Sequence, residues 1–307
     1  MRTARLSTGV EPETLGPDFA ALIRSIDSKL VDVVRLTELP LPDDARSCYR
    51  LQFADGRRFK YRRLPSAERA ETLHRLLNHL NTPHIPRILS RHGTGLLIEY
   101  VKGRRLQRSD QVTQLLQWCG GLQGQIHAAD ADGLCLTSWA PVSVEASELE
   151  ARIDELVRRG SIERAMGDDL LALATSRSSR LVVEGHVGVI HRDFCAENIL
   201  LAPSGRIHLV DNESIDVGPL DYDLARTWYR WPMKPPERAA FWEGYGRYRD
   251  PESFASSFAY WAVTVLVESS LFRLEIGTPK AVVPLRRLGI LLREARDGLP
   301  TDPHLCW

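Results

Sequence analysis

The hydrophobic repeat of this chain changes character once, near Val101-Lys102-Gly103, and that change leaves few folds open. Before it, short apolar and aromatic runs are broken by turn residues; after it, apolar residues recur three and four positions apart over long stretches. Residues 48–53 and 58–64 flank Ala54-Asp55-Gly56-Arg57, and Asp-Gly between two such runs predicts a hairpin because both turn positions tolerate positive φ. Residues 88–89 and 96–101, around His92-Gly93-Thr94-Gly95, predict a second strand pair. A short helix is expected over 18–30 (Phe19, Leu22, Ile23, Ile26, Leu30), and a longer one from Ser66, as cap, to about Leu80, with Leu73, Leu76, Leu77 and Leu80 on one face. Beyond the change, helices are expected over 110–129, 144–159 and 162–175, and in three stretches from Pro235 to about Arg296. Residues 187–211 interrupt them with β character. The expected fold class is α+β and bilobal: a β-rich N-lobe over 1–102, a hinge near Glu99 to Gly103, and a mostly helical C-lobe over 103–307.

The 307 residues suit two lobes, and 43% hydrophobic with 26% charged is the composition of a globular protein rather than a disordered or fibrous one. Forty Lys plus Arg balance forty Asp plus Glu. A net charge of zero provides no global field for nucleic acid or an acidic membrane, so neither is an expected partner. The five cysteines are scattered without a C-x-x-C, which argues against a disulfide framework or a zinc site and for free thiols in a reducing compartment. The N-terminal stretch lacks an apolar signal region, and the longest strongly apolar run, 258–267, is short for a bilayer. A cytoplasmic monomer or homodimer is expected. No internal repeat is present.

One stretch carries chemistry: His191-Arg192-Asp193-Phe194-Cys195-Ala196-Glu197-Asn198-Ile199-Leu200-Leu201, with Asp211 thirteen positions after Asn198 at the end of an apolar run. Phosphoryl transfer from a nucleotide needs a carboxylate near the attacking hydroxyl, oxygen ligands for magnesium and a cation on the phosphates, since positioning and charge neutralisation supply most of the catalysis. Asp193, then Asn198 and Asp211 across a hairpin, supply the first two. The cation is expected on an N-lobe strand, where Lys60 stands. Only five of the forty basic residues are lysines (Lys29, Lys60, Lys102, Lys234, Lys280). If Phe59 and Tyr61 share one strand face, Lys60 shares the other with Arg58 and Arg62. Cys195 is read as a spacer within the loop, since nothing predicts a lowered thiol pKa.

These residues, with Asp211-Asn212-Glu213 and Gly218-Pro219-Leu220-Asp221-Tyr222-Asp223-Leu224-Ala225, resemble the H-x-D-x-x-x-x-N, I-D-W-E and G-D-P-x-x-D-L-A blocks of the aminoglycoside phosphotransferase (APH) family, small-molecule kinases with a protein-kinase-like fold. The resemblance spans roughly 45–230. It implies Asp193 as catalytic base or hydroxyl-orienting carboxylate, Asn198 and Asp211 as Mg²⁺ ligands, Lys60 on the nucleotide phosphates, His191 as a brace for the catalytic loop, and Asp223 as its buried anchor. Leu97-Ile98-Glu99-Tyr100-Val101-Lys102-Gly103 resembles the family's hinge, whose main chain near Glu99 and Val101 would bind adenine. His127 matches a family histidine expected to pack beneath the catalytic loop. The implied activity is ATP- and Mg²⁺-dependent transfer of the γ-phosphoryl to a hydroxyl of a small molecule, such as an aminoglycoside or other antibiotic, a sugar or an amino alcohol.

The sequence departs from that pattern twice. Residues 39–47, where the phosphate-covering loop belongs, contain no glycine, so Ser47 or backbone amides would contact the phosphates, and GTP stands beside ATP as the nucleotide. The helix glutamate that would pair with Lys60 is Glu68 or Glu71. A protein kinase is the first rival; against it, no D-F-G or A-P-E is present and Gly218 follows Asp211 by seven positions. The second is an inactive nucleotide-binding regulator, against which every polar catalytic position is filled. Residues 46–105 carry fourteen basic side chains against four acidic, and 130–180 ten acidic against six basic, so a neutral or cationic acceptor is the weaker expectation drawn from charge. For the aromatic group Trp228, Tyr229, Trp231, Trp242, Tyr245 and Tyr248, core packing is favoured over an acceptor pocket.

Overall fold

The computed structural model describes residues 5–6, 15–36, 48–80, 82–110, 112–130, 146–176 and 187–298. In chain order these form β1 (Arg5–Leu6), α1 (Pro17–Arg24), β2 (Leu30–Arg35), β3 (Cys48–Phe53), β4 (Arg58–Arg63), α2 (Ala67–Leu80), β5 (Ile88–His92), β6 (Gly95–Glu99) and β7 (Arg104–Arg105). Then follow α3 (Thr113–Ala128), α4 (Ala146–Arg158), α5 (Arg164–Thr175), β8 (Val187–Ile190), β9 (Ile199–Leu201), β10 (Ile207–Leu209), β11 (Asp216–Pro219), α6 (Leu220–Arg230), α7 (Pro235–Tyr245), α8 (Glu252–Glu275) and α9 (Val282–Arg296). The α+β class expected from the change of repeat is what the structure has. The chain divides into two compact units: the described residues up to Leu106 together with Glu197–Ile215, and the rest.

The first unit is built on an antiparallel sheet in the order β1-β2-β3-β4-β6-β5. The Asp-Gly hairpin forms as the sequence predicts, with Gly56 at φ 85. Phe19, Leu22 and Ile23 of α1 close one face of the sheet over Val33, Tyr49, Leu51, Phe53, Tyr61 and Leu97. Strand alternation then sends Lys60 and Arg62 to the opposite face from Tyr61. Ser66 caps α2, its Oγ accepting from the Arg69 N–H at 3.1 Å. The expected helix over 18–30 is shorter than its apolar spacing suggests: α1 stops at Arg24, Ile26 packs on the core from a turn, and Leu30 opens β2. That strand was not foreseen, because Leu30-Val31-Asp32-Val33-Val34-Arg35 lacks strict alternation. The hairpin of β9 and β10 belongs to this unit. Its edges are held by β7 on β9 and by the Leu209 N–H donating to the His84 carbonyl at 2.8 Å.

The second unit is helical around a short antiparallel pair, β8 with β11. Helix α8 supplies its centre. It is the one described helix long and apolar enough to cross a membrane by length and composition, and 78% of its most apolar stretch is buried within the protein, so its apolar length is spent on packing. Helix α6 was not foreseen as a helix; it opens with Leu220-Asp221-Tyr222-Asp223 and buries Leu224 and Trp228 one and two turns on. Trp228, Tyr229, Trp231, Trp242 and Tyr245 are all buried, as core packing requires. Tyr248 is exposed, its hydroxyl accepting from Gln125 at 2.8 Å.

Candidate active site

In the first unit, three of the residues singled out by sequence sit together. Ile199 and Leu209 pair in register, and one step outward the Val210 N–H donates to the Asn198 carbonyl at 2.8 Å. The open end of this hairpin therefore carries Asn198 and Asp211 side by side along the chain path. From β4, Lys60 Nζ reaches Asp211 Oδ1 at 2.9 Å. Burial alone would lower the Lys60 pKa, but the Cys48 thiol and the Glu213 and Asp211 carboxylates around it hold it above its ordinary value. Burial would likewise raise the Asp211 pKa, and the adjacent charges of Lys60, Arg62 and Arg105 hold it below the usual carboxylate range. Both groups are thus charged at neutral pH, and the Asp211 side chain stays 41% exposed.

The partner expected for Lys60 on α2 is not Glu68 or Glu71. Glu71 pairs with Arg91, and Lys60 pairs with Asp211. The α2 residue that turns inward is Arg69, which lies on the face of Leu73 and Leu76, is 2% exposed, and donates to the carbonyls of Glu213 at 2.8 Å and Ile215 at 2.6 Å. The glutamate that faces Lys60 comes instead from the turn after Asp211: Glu213, in ion pair with Arg62 at 2.5 Å. Sequence reasoning passed over Arg69 and Glu213, although Arg69 falls on the apolar face at i, i+4, i+7 with Leu73 and Leu76.

At the hinge, the Glu99 N–H donates to the Arg87 carbonyl at 2.9 Å and its carboxylate lies 3.7 Å from the Arg87 guanidinium. Val101 makes no hydrogen bond among the described residues. A side chain at Gly103 would stand 2.9 Å from the Leu201 carbonyl, so the chain there passes β9 too closely for anything but glycine. Ser47 lies outside the described residues.

In the second unit, Asp193 follows β8 on a loop that is pinned from beneath. Asp223, fully buried, accepts from the N–H groups of His191 at 3.1 Å and Arg192 at 2.6 Å. It also accepts from Gln123 at 3.0 Å and lies 2.9 Å from His127 Nε2. An ionised carboxylate only accepts, so Nε2 carries a proton, and the Tyr245 hydroxyl lies 2.9 Å from Nδ1. His191, also fully buried, takes the Asp193 N–H on its Nδ1 at 3.3 Å. Helix α6 adds two residues that sequence reasoning missed: Arg226 and Arg230, 3.7 and 3.4 Å from Asp193 Oδ1. Their i, i+4 spacing was the available signal. Among the described residues, two that are not glycine hold φ in the left-handed region, Arg192 at 65 and Asp211 at 59. Such strain concentrates at functional positions.

Residues 38–255, more than two thirds of the chain, match the family described as APH, Phosphotransferase enzyme family. The chain belongs to that family. It is therefore a small-molecule phosphotransferase acting on an alcohol group. Solved structures of similar fold include a choline/ethanolamine kinase family protein from Mesorhizobium loti (16% identity, 92% of this chain and 93% of that one, TM-score 0.64). Another is macrolide 2'-phosphotransferase MphH from Brachybacterium faecium (17%, 87% and 96%, 0.61). A third is a spectinomycin phosphotransferase in complex with ADP and spectinomycin (13%, 93% and 95%, 0.61). At such identities the likeness is one of fold. No curated protein matches the chain by sequence.

The residues of this phosphotransferase suit a magnesium nucleotide. Magnesium takes hard oxygen ligands, one or two from carboxylates and the rest from water and phosphate, and Asp211 with Asn198 offers that donor set. Among the described residues no group of three or more His, Cys, Asp and Glu could hold a metal.

Proposed function

We propose that the chain transfers the γ-phosphoryl group of ATP, or of GTP, to a hydroxyl of a small molecule, with Mg²⁺. The observation that carries this reading is the Lys60–Asp211 pair at 2.9 Å at the mouth of a hairpin whose other lip is Asn198, five positions along the chain from Asp193. Lys60 meets the phosphates; Asn198 and Asp211 hold Mg²⁺, which when bound neutralises charge on the transferring group. The main chain at Val101 receives the base. Asp193 orients the acceptor hydroxyl and takes its proton, and the hydrogen bonds from His191 and Arg192 to Asp223 keep its loop in the required shape. A carboxylate of this kind acts on the acceptor and leaves the nucleotide largely untouched. The test is to incubate the protein with Mg-ATP and a broad set of alcohols and detect products gaining one phosphoryl group. Asp193→Ala is expected to lower kcat by at least about a hundredfold; a variant as active as the wild type would refute the assignment.

A further inference from the structure

Two guanidiniums stand beside the Asp193 carboxylate. Arg226 and Arg230 stand one turn apart on α6, and both aim at the same oxygen, Oδ1, at 3.7 and 3.4 Å. A closed charge-assisted hydrogen bond is about 2.7–2.9 Å, so both guanidiniums hover over the carboxylate at ion-pair distance without closing on it. Glu268, which contributes to the field at Arg226, is already in ion pair with Arg152 and accepts from the Tyr222 hydroxyl at 2.8 Å. Arg230 also lies 3.6 Å from the Cys195 thiol, and Asp216 faces Arg192 at 3.9 Å. Arg226 Nε is buried with no hydrogen-bond partner among the described residues. Both arginines keep some exposure, 22% and 31% of the side chain, so a small molecule presenting its hydroxyl to Asp193 meets two cations beside it.

We propose that Arg226 and Arg230 form an anion subsite for the acceptor, and that the acceptor is a hydroxyl compound bearing a carboxylate, sulfate or phosphate group a few bonds from the hydroxyl. This rests on Asp193 being the residue that receives the acceptor. A planar guanidinium fork engages two oxygens of such an anion at once, and the same contact would draw the arginines off Oδ1 and leave it to the hydroxyl. An aminoglycoside or amino alcohol, by contrast, would bring its ammonium against two like charges. The proposal weighs against the cationic acceptor that the acidic 130–180 stretch suggests by count alone.

The experiment offers the protein and Mg-ATP three matched series: hydroxy acids, sugar acids and sugar phosphates; neutral sugars and polyols; amino alcohols and aminosugars. Products are expected in the anionic series. Arg230→Gln should raise the acceptor KM about tenfold or more, with the KM for ATP changing less than about threefold. Transfer mainly to neutral or cationic acceptors would overturn the proposal. So would a variant that loses kcat at unchanged acceptor KM, since the arginine would then act on the transferring phosphoryl. If nothing in any series is phosphorylated, it is the phosphotransfer assignment that has failed. The subsite is then judged by titrating tartrate into protein saturated with Mg-ADP. Binding by the wild type that disappears in the Arg226→Gln/Arg230→Gln double variant supports it; no binding, or binding the double variant retains, refutes it.

Discussion

Asp223 is fully buried, and its carboxylate accepts from the backbone of His191 and Arg192 and from the side chains of Gln123 and His127. Burial alone would raise its pKa. Hydrogen bonds from His127 and Gln123, with the electrostatic pull of the two imidazoles His127 and His191, overcome that and hold it at about 2. A depressed carboxylate pKa contributes stability that is complete above the unfolded pKa of about 4 and disappears as pH falls toward 2, an effect of about 2 kcal/mol. Acid titration of the unfolding free energy should therefore show a slope between about pH 4 and 2 that Asp223→Asn removes. At neutral pH the same substitution points an amide at donors and should cost about 3 kcal/mol. A variant that unfolds in parallel with the wild type across the acid range would show that this carboxylate is not the one responsible. Asp193, Asn198 and Asp211 were singled out in the sequence because phosphoryl transfer calls for such residue types at that spacing, and Asp223 because the family resemblance implies a buried anchor there. Arg69, Arg226 and Arg230 were not, since a helical arginine reads by default as solvated. Only the rotation of the helix against its neighbours shows that Arg69 turns inward and that Arg226 and Arg230 share one carboxylate.

The packing of α3 on α7 turns on glycines whose importance no spacing rule announces. A Cβ at Gly120 would stand 1.9 Å from the Phe241 carbonyl oxygen, and one at Gly244 would stand 1.9 Å from that of Gln117. Each helix thus lays its backbone against the other, and neither can accept a methyl without the pair moving apart. One position along, a Cβ at Gly121 would make ordinary van der Waals contact, 3.6 Å from the Gly244 carbonyl oxygen and from the Tyr248 ring. The expected outcomes have opposite signs. Gly120→Ala overpacks the contact and should lower Tm by roughly 5–10 °C. Gly121→Ala fits, removes backbone freedom from the unfolded chain, and should leave stability unchanged or raise it by up to about 1 kcal/mol. Thermal unfolding of the two variants checks the geometry, and equal losses at both would refute it. Strand and helix identity were legible wherever the repeat was strong, as in the hairpin of β3 with β4 and in α2 and α8. They were lost where the repeat was short or crowded with charge, as in β2 and α6, because tertiary burial rather than local pattern decides those elements.

At the scale of the whole chain, Lys60, Asn198 and Asp211 belong to one compact unit and Asp193, with its arginines and Asp223, to the other. The chain passes between the two within the five positions from Asp193 to Asn198, so a single stretch of sequence serves both. The zero net charge conceals the same division: the surplus of basic residues over 46–105 accompanies the residues expected to meet a polyanion. If nucleotide binding resides in the first unit, ligand-induced stabilisation separates the two sets of residues without any assay of turnover. Mg-ADP at a hundred times its dissociation constant should stabilise the folded protein by about 2.7 kcal/mol by mass action. Asp193→Ala should keep that gain. Lys60→Met and Asp211→Asn should each lose most of it relative to their own ligand-free state, and Asp211→Asn should also lose the dependence on Mg²⁺. The comparison within each variant removes the baseline cost of breaking the Lys60–Asp211 pair. If Asp193→Ala abolished the gain as fully as Lys60→Met, Asp193 would belong with the nucleotide residues, and its role toward the acceptor would have to be reassigned.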